Sequence, residues 1–326
     1  MNNGKIKFFV VLLSLLLGVT DVFCQKAQTT AATDFDAYLK RPTADASFTF
    51  SVVGDIQGKG RSEVWKNAAL WLSKRKPSFW VPVGDLVDHG LRKEEWDAFV
   101  EDGAALLKVS PIIPVIGNHE CYLDKAPEQF PALFYEQFPF FKLGKERPDG
   151  WYSFDYSNAH FVVLNNYPAT GDRNKDKNII REEEKQWLER DLSSSRKRWK
   201  FVFMHEPLYS SGPHGGDSNW LIPVWGELFD KYNVNVVFSG HTHAFEVTCG
   251  IRNGKKTEDT KSGTIYYNCA GVNYSAVPKG DWFTASSQKI ERICMIPLVK
   301  VESDSVTIET WDLSSDTVFH RTVIGK

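Results

Sequence analysis

The sequence predicts an α/β fold in which two sheets pack as a sandwich flanked by helices. Residues 48–116 alternate between strand-like and helix-like stretches, a pattern typical of βαβ units with right-handed crossovers. Beyond His243 the sequence contains strand-like stretches, so each half of the chain is expected to supply one sheet. Polar residues of metal-binding type follow five predicted strands, which places a functional site at one edge of the sandwich.

The first half of the fold is built from short apolar runs that end at turn residues. Such runs suit strands buried on both faces, and the longer stretches between them suit helices. The predicted order is strand 48–53, helix 61–75, strand 79–83, helix 92–107 and strand 112–116. A proline-rich, aromatic insertion follows at residues 123–148.

The second half begins with an antiparallel pair of strands around Ser157-Asn158. The remaining predicted elements are strands 151–156 and 160–164, helix 181–192, strand 201–204, helix 220–232, strand 234–240, and strands 244–249, 263–269, 293–301, 305–311 and 316–324. About 280 residues follow the N-terminal region, enough for one large domain with a substantial core.

The N-terminal region is predicted to lie outside this domain. Lys5 and Lys7 precede an apolar stretch at residues 8–19 that is too short for a membrane span, so residues 1–24 are interpreted as a signal peptide. Residues 25–46 are small and polar and are interpreted as a linker, which leaves 47–326 as the folded domain. The protein is expected to be secreted or periplasmic, without a transmembrane segment in the mature chain; a lipoprotein acylated at Cys24 is the alternative.

Charge and cysteine content exclude some classes of function. The formal net charge is −2 and the charged residues are interspersed, so no basic stripe indicates nucleic-acid binding. The cysteines that follow Cys24 lack the paired spacing of a zinc ribbon. Cys249 and Cys269 lie on consecutive predicted strands, and the sequence leaves open whether they form a disulfide or stay reduced.

The five strand endings carry the functional signal. They read Gly54-Asp55, Gly84-Asp85, Gly117-Asn118-His119, Met204-His205 and Gly240-His241-Thr242-His243. One aspartate after a strand is usually a helix N-cap. Five endings drawn from Asp, Asn and His are hard to explain as caps, and together they predict a metal centre.

In this order, the motifs resemble those of the calcineurin-like metallophosphoesterases, nearest the purple acid phosphatase-like branch. The matching motifs are Gly54-Asp55, Gly84-Asp85-Leu86-Val87-Asp88, Gly117-Asn118-His119-Glu120, Met204-His205-Glu206-Pro207 and Gly240-His241-Thr242-His243. The resemblance covers about residues 48–245. It implies a four-layer α/β/β/α sandwich with two metals at the strand ends.

By this resemblance, Asp85 bridges two divalent metal ions. The resemblance assigns Asp55 and His243 to the first metal, and Asn118, His205 and His241 to the second. Oxygen and imidazole ligands without thiolate suit Mn, Fe or Zn. Two metals about 3.5–4 Å apart clamp the attacking and leaving oxygens, and a metal-bridging hydroxide attacks phosphorus in line.

Three further residues receive roles from the resemblance. His119 is expected to stand over the phosphate, together with Asn118, and to protonate the leaving oxygen. Asp88 is expected to orient His119, although a turn carboxylate or an N-cap is the alternative. His214 lies where the acid phosphatase branch has a phosphate-contacting histidine, and an ordinary loop histidine is the alternative.

Two positions depart from the family pattern. Many members have histidine where this chain has Gln57, so Gln57 is a possible metal ligand or a hydrogen-bonding neighbour of the metal. Purple acid phosphatases have a metal-binding tyrosine where this chain has Asp88, so we expect a colourless enzyme that uses divalent ions.

These observations predict an exported dinuclear-metal phosphoesterase that acts on small-molecule phosphate esters. A phosphomonoesterase is the first interpretation, and a phosphodiesterase or nucleotide pyrophosphatase is the alternative. The non-enzymatic alternative is a phospho-ligand-binding protein with a degenerate metal site, which the Gln57 departure leaves open.

Overall fold

The computed structural model describes residues 38–42, 46–58, 60–121, 132–138, 150–167, 182–215, 219–257, 262–273, 284–287 and 294–325. The chain divides into two units, Met1–Lys40 and Arg41–Lys326, and only residues 38–40 of the first are described. The predicted signal peptide and most of the predicted linker therefore lie outside the described residues. No helix in the described part of the chain is long and apolar enough to cross a membrane.

Strands and helices of the second unit follow the predicted alternation. The strands are β1 (Phe48–Val53), β2 (Trp80–Pro82), β3 (Tyr152–Tyr156), β4 (Ala159–Val163), β5 (Trp199–Phe203), β6 (Val236–Ser239), β7 (Glu246–Thr248), β8 (Ile251–Arg252), β9 (Lys255–Lys256), β10 (Ile265–Asn268), β11 (Thr284–Ser287), β12 (Met295–Val301), β13 (Ser305–Asp312) and β14 (Thr317–Gly325). The α-helices are α1 (Glu63–Arg75), α2 (Lys93–Leu107), α3 (Ala132–Gln137), α4 (Glu182–Ser194) and α5 (Glu227–Lys231). Helix α3 is the described part of the predicted insertion.

Two large sheets form the sandwich. The first has the strand order β14-β13-β12-β1-β2, and the second has the order β11-β7-β10-β6-β5-β4-β3. Strands β4, β5, β6 and β10 run parallel to one another, as do β1 and β2. The first sheet combines strands from both halves of the chain, so the prediction of one sheet from each half is too simple: β12 returns to pair with β1.

Aromatic side chains fill the space between the two sheets. The ring of Phe50 on β1 lies 5.3 Å from that of Phe79 and 5.4 Å from that of Phe161 on β4. It also lies 5.3 Å from Phe201 on β5 and 6.3 Å from Phe238 on β6. Each such ring contributes about 1.5–3 kcal/mol when fully buried, so this layer fixes how the sheets face each other.

Helices cover the outer faces. Helix α1 begins after Ser62, whose hydroxyl accepts a hydrogen bond from the Trp65 amide (3.1 Å), and Trp65 packs on Trp80 of the first sheet with ring centroids 5.5 Å apart. On the other side, Leu188 of α4 and Phe229 of α5 are buried in one cluster with Val202 and Val237 of the second sheet, among other residues. The predicted four-layer α/β/β/α arrangement is confirmed.

Prolines explain two differences from the predicted elements. Residues 112–116 run beside β2, where the Ile113 amide donates to the Trp80 carbonyl (2.8 Å) and the Val115 amide donates to the Pro82 carbonyl (3.2 Å). Pro82 has no N–H to donate in return, so the ladder is too sparse for a regular strand. The predicted helix 220–232 is a 3₁₀ turn (Asn219–Leu221), a π turn (Ile222–Gly226) and α5 in succession, with Pro223 at the start of the π turn.

The register of β7 and β10 rules out the disulfide alternative for Cys249 and Cys269. The strands are antiparallel as expected, but Val247 pairs with Tyr267 and Glu246 pairs with Asn268. In this register, Cys269 follows the end of β10 near the start of β7, whereas Cys249 follows the end of β7 near the start of β10. The two cysteines therefore lie at opposite ends of the paired strands. Both residues are thiols, and burial raises the pKa of Cys269 well above its ordinary value.

Candidate metal centre

The five predicted strand endings converge at one edge of the sandwich. Side chains from distant parts of the sequence lie within hydrogen-bonding distance of one another there. The contacts include Asp55 with His243 (2.8 Å), Asp85 with His205 (3.1 Å), Asn118 with His205 (3.0 Å) and Asn118 with His241 (2.9 Å). The structure thus brings together all six residues predicted as metal ligands.

One set of side chains, here called the Asn118 group, comprises Asn118, Asp85, His205 and His241. Asn118 Oδ1 lies 3.0 Å from His205 Nε2 and 2.9 Å from His241 Nδ1, and His205 Nε2 lies 3.1 Å from Asp85 Oδ2. Ligand atoms about 2.1 Å from one ion and at right angles to each other are about 3 Å apart. The spacing therefore fits a divalent cation.

The second set, the Gln57 group, comprises Asp55, Asp85, His243 and Gln57. The first three offer ligand atoms that all lie within 4.8 Å of one another, as do Asp85, His205 and His241 in the Asn118 group. Gln57 Nε2 lies 3.5 Å from His243 Nε2, whereas the buried Gln57 Oε1 makes no hydrogen bond to any described residue. A buried amide oxygen without a donor is costly, and a cation would satisfy it. Asp85 belongs to both groups.

A buried ion pair lies at the middle of the site. Burial acts to raise the pKa of Asp85, but the charge and hydrogen bond of His205 hold it far below its usual range. Burial would lower the pKa of His205, but Asp85 outweighs burial and raises that pKa to about 10. A metal ion that binds these two side chains takes the place of the proton they share, because imidazole must be deprotonated to ligate.

The turns that carry three of the proposed ligands, and the loop that carries His214, have unusual backbone geometry. Asp85, His214, His241 and His243 have φ values of 51°, 63°, 66° and 52°, in the left-handed region that side chains rarely adopt. Such strain persists only where the surroundings fix the conformation, and it is concentrated at functional sites.

Glycines let the motifs approach one another closely. Gly84 has φ 91°, and a Cβ there would lie 2.4 Å from His205 Nδ1. A Cβ on Gly117 would lie 2.2 Å from Asp85 Oδ1, and one on Gly240 would lie 2.2 Å from Asp55 Oδ1. Because glycine has no side chain, each of these motifs leaves room for a proposed ligand that belongs to a different motif.

Glu120 ties two of the turns together, a role that the sequence did not suggest. Its carboxylate accepts hydrogen bonds from the backbone amides of Gly117 (2.7 Å), Asp85 (2.9 Å) and Leu86 (2.8 Å). Burial, followed by the negative charge of Asp85, raises the pKa of Glu120 to about 8. The side chain holds the turn of Asp85 against the turn of Asn118.

His119 lies beside the shared carboxylate. Its backbone amide donates to Asp85 Oδ1 (2.9 Å), and its Nε2 lies 3.8 Å from Asp85 Oδ2. Nδ1 lies 2.7 Å from the backbone carbonyl of Asp88 but 3.9 Å from the Asp88 carboxylate. Asp88 thus contacts His119 through its main chain, and the N-cap alternative is wrong because Arg92 is the N-cap of α2.

His214 lies near the Asn118 group. Its ring centroid is 5.5 Å from that of His241, and the residue is exposed. An exposed imidazole at this distance from the proposed ligands is placed to meet a bound anion.

Two further residues near the site, Asn166 and Tyr167, were missed by the sequence reasoning. Asn166 Oδ1 accepts hydrogen bonds from the amides of His205 (3.0 Å) and Glu206 (3.1 Å). The Tyr167 hydroxyl donates to the Glu206 carboxylate (2.8 Å) and lies 3.4 Å from Asn118 Oδ1. The signal was available: the predicted strand 160–164 is also followed by polar residues, Asn165 and Asn166.

Comparison with known proteins identifies the family. The calcineurin-like phosphoesterase model matches residues 48–245. Purple acid phosphatase 18 of Arabidopsis thaliana is 30% identical over 230 residues, which cover 67% of this chain and 48% of the relative. A phosphoenolpyruvate phosphatase of Allium cepa is 29% identical over 248 residues, which cover 72% of this chain and 46% of the relative. The chain therefore spans about half the length of these curated relatives.

A solved structure shows the same fold. The purple acid phosphatase PPD1 of yellow lupin (Lupinus luteus) superposes with a TM-score of 0.69 at 18% sequence identity, over 87% of this chain and 55% of that chain. The family model covers more than half of the sequence and includes all five motifs. The chain belongs to the calcineurin-like phosphoesterase family.

Proposed function

We propose that this protein is an exported phosphomonoesterase that works with two divalent cations. The observation that carries the proposal is that two separate sets of ligand atoms share one carboxylate, Asp85. When bound, a pair of divalent cations supplies positive charge to the phosphoryl group and lowers the pKa of a water molecule.

The residues of this chain bind the cations, donate the proton and contact the phosphate. Asn118, His205 and His241 would hold one cation, and Asp55 and His243 would hold the other, with Gln57 Oε1 as a further oxygen donor. His119 stands beside Asp85 and donates a proton to the leaving oxygen. The Asp88 carbonyl accepts from His119 Nδ1–H, which leaves Nε2 to carry the transferred proton. Asn118, His119 and His214 contact the phosphate oxygens.

The names of the relatives support a monoester substrate. One relative is named a purple acid phosphatase and another a phosphoenolpyruvate phosphatase, and both names denote phosphatase activity. Because the match covers about half of each relative, a phosphodiesterase or nucleotide pyrophosphatase is the alternative that a substrate panel must separate. The matched family supports an enzyme, and measured turnover with added metal separates it from the phospho-ligand-binding alternative.

The test is turnover by the metal-reconstituted protein on matched esters. An aryl phosphate monoester, the corresponding bis-aryl diester and a nucleoside triphosphate are assayed with Mn²⁺, Zn²⁺ or Fe²⁺, and Asp85→Asn serves as the inactive control. We expect kcat/KM to be highest for the monoester. A higher value for the diester, or release of pyrophosphate from the nucleotide, would favour the alternative enzymes.

Export and metal identity have separate tests. Mass spectrometry of the protein recovered outside the cytoplasm should find a mature chain that begins at Gln25; a lipid-modified Cys24 would indicate a lipoprotein instead. The metal-loaded protein should be colourless, since Tyr167, the tyrosine near Asn118, donates its hydroxyl proton to Glu206 and is held as a phenol. Visible absorption that disappears in Tyr167→Phe would contradict this expectation.

A further inference from the structure

Glu246 is a buried carboxylate to which the proposed mechanism gives no role. It lies on β7, three residues after His243, and only 1% of its surface is exposed. Burying a carboxylate is costly unless several donors satisfy its oxygens. The position of those donors therefore indicates what the side chain holds in place.

Most of the donors come from one loop. The carboxylate of Glu246 accepts from the Ser210 hydroxyl, from the Ser211 amide (3.0 Å) and from the Ser211 hydroxyl (2.5 Å). The fourth donor is Asn268 Nδ2 (3.1 Å), which also donates to the Tyr209 carbonyl (2.9 Å). Three consecutive loop residues, 209–211, are thus fixed to the end of the second sheet.

This loop leads directly to His214. We call residues 209–215 the His214 loop. It folds back on itself, because the Gly212 amide donates to Ser210 Oγ (3.0 Å) and the Gly215 amide donates to the Gly212 carbonyl (3.0 Å). A movement at Ser210 would therefore be transmitted to His214 within a few residues.

A second contact presses the His214 loop against the ligand turn. A Cβ on Gly212 would lie 2.9 Å from Ala244 Cβ and 3.0 Å from Thr242 Cβ. The loop thus packs on the same His241–Glu246 segment that supplies two proposed metal ligands. One short piece of chain carries these ligands and the carboxylate that anchors the loop.

We propose that Glu246 is a positioning residue that holds the His214 loop, so that His214 meets the phosphate of the substrate at a fixed distance from the metal centre. This inference rests on the proposed function, specifically on the contact between His214 and the phosphoryl oxygens. Binding energy from such a contact is realised only when the group is held in place before the substrate arrives.

The direct test is a double-mutant cycle. Glu246→Gln keeps the shape of the side chain but turns one oxygen into an NH₂ group that faces the Ser210 and Ser211 donors. We expect kcat/KM for an aryl phosphate monoester to fall about tenfold, and the inhibition constant of inorganic phosphate to rise by a similar factor. In a His214→Ala background the same substitution should change kcat/KM by less than about twofold, because interacting residues are not additive.

Control variants separate positioning from general stability. Asp191→Asn removes a carboxylate oxygen from Ser153 and His160, which lie on β3 and β4 at the opposite side of the second sheet from β7. It should lower the melting temperature without changing either kinetic constant. Metal content per chain should match the wild type in Glu246→Gln. If Glu246→Gln does not fold, Ser211→Ala, which removes one donor to the carboxylate, takes its place in the cycle.

Several outcomes would overturn the proposal. The first is wild-type kcat/KM and phosphate inhibition in Glu246→Gln. The second is a loss of kcat/KM on Glu246→Gln that is just as large in the His214→Ala background. The third is loss of bound metal from Glu246→Gln. A His214→Ala variant with wild-type kinetics would instead show that the proposed substrate role of His214 fails, and the inference would fail with it. If His214→Ala is impaired and only the coupling is absent, the proposed function stands and the role of Glu246 does not.

Discussion

The Asn118 group and the Gln57 group share Asp85 but differ in how firmly their other members are supported. In the Asn118 group, His205 is fully buried, its Nδ1 donates to the Val83 carbonyl (2.7 Å) and Asn166 accepts from its backbone amide. In the Gln57 group, the His243 side chain is 17% exposed and Gln57 Oε1 makes no hydrogen bond to a described residue.

This difference predicts two classes of bound metal. Hydrogen bonds from surrounding groups orient ligands and typically change metal affinity by about 10–100-fold. We therefore expect the cation of the Asn118 group to be held more tightly and that of the Gln57 group to exchange. The variants of Asp85, Asp55 and Gln57 described below test this difference directly.

The largest effect is expected from the shared carboxylate. Asp85→Asn should lose both cations and lower kcat/KM by about 10³-fold, because a neutral amide cannot balance the charge of two metals. Asp55→Asn should lose one cation and retain the other. The metal content of purified variants checks both statements, and loss of both cations from Asp55→Asn would contradict the division into two groups.

A variant of His119 tests whether this residue is a metal ligand or a proton donor. Removal of a positioned proton donor costs about 10²-fold in rate, so His119→Ala should lose that much activity while both cations stay bound. Rate and metal content are measured on the same preparation. A loss of metal equal to that in Asp85→Asn would make His119 a ligand and not a proton donor.

His160 is a reference for the two proposed metal-binding groups, because a proton and not a metal ion joins its imidazole to carboxylates. Its Nδ1 lies 2.8 Å from Asp155 and its Nε2 lies 2.8 Å from Asp191. Burial lowers the pKa of His160, but the hydrogen bonds to Asp155 and Asp191 outweigh it and raise the pKa to about 9. The charged form is therefore favoured by folding.

The sign of this shift sets the pH dependence. The stabilisation is complete below the unfolded pKa near 6.5 and is lost as the pH rises through 9. His160→Gln should lower the free energy of unfolding by about 2 kcal/mol at pH 6, reduced from the full shift because Asp155 is half exposed. Urea unfolding at pH 6, 7.5 and 9.5 should show the difference shrink. A difference that is constant with pH, or one that disappears with chelator, would contradict this interpretation.

The smallest expected effect concerns Gln57 itself. Gln57→His supplies an imidazole in place of an amide oxygen and should slow the release of one cation to a chelator by about tenfold. Gln57→Ala should speed that release. The cation of the Asn118 group serves as the internal control, and its rate should not change. Equal changes at both cations would show that the two groups are not independent.

Much of the site was predictable because its signal is local. An apolar run followed by Asp, Asn or His can be read from a few residues, and the five runs converge because their strands end at one edge. The same signal at Asn165 and Asn166 was overlooked because the strand before them resembles the second strand of an ordinary antiparallel pair. His119 Nδ1 lies closer to the carbonyl of Asp88 (2.7 Å) than to its carboxylate (3.9 Å), a difference that depends on the fold of the turn and is not visible in the sequence.

Other features could not be read from the sequence because they depend on contacts between distant segments. The register of β7 against β10 separates Cys249 from Cys269, and no local pattern specifies that register. The anchoring of Ser210 and Ser211 by Glu246 joins residues about 35 positions apart. The return of β12 to β1 spans most of the domain.

The glycines of the motifs have a consequence for how this sequence can evolve. Because a side chain on Gly117 would strike Asp85, and one on Gly240 would strike Asp55, each glycine is constrained by a residue from a different motif. A lineage that abandoned catalysis could exchange a ligand for another side chain of similar size, whereas replacement of a glycine would force apart two segments of the backbone. We expect inactive descendants of such a protein to keep the glycines after the ligands have drifted, so that the fold preserves a trace of the lost chemistry.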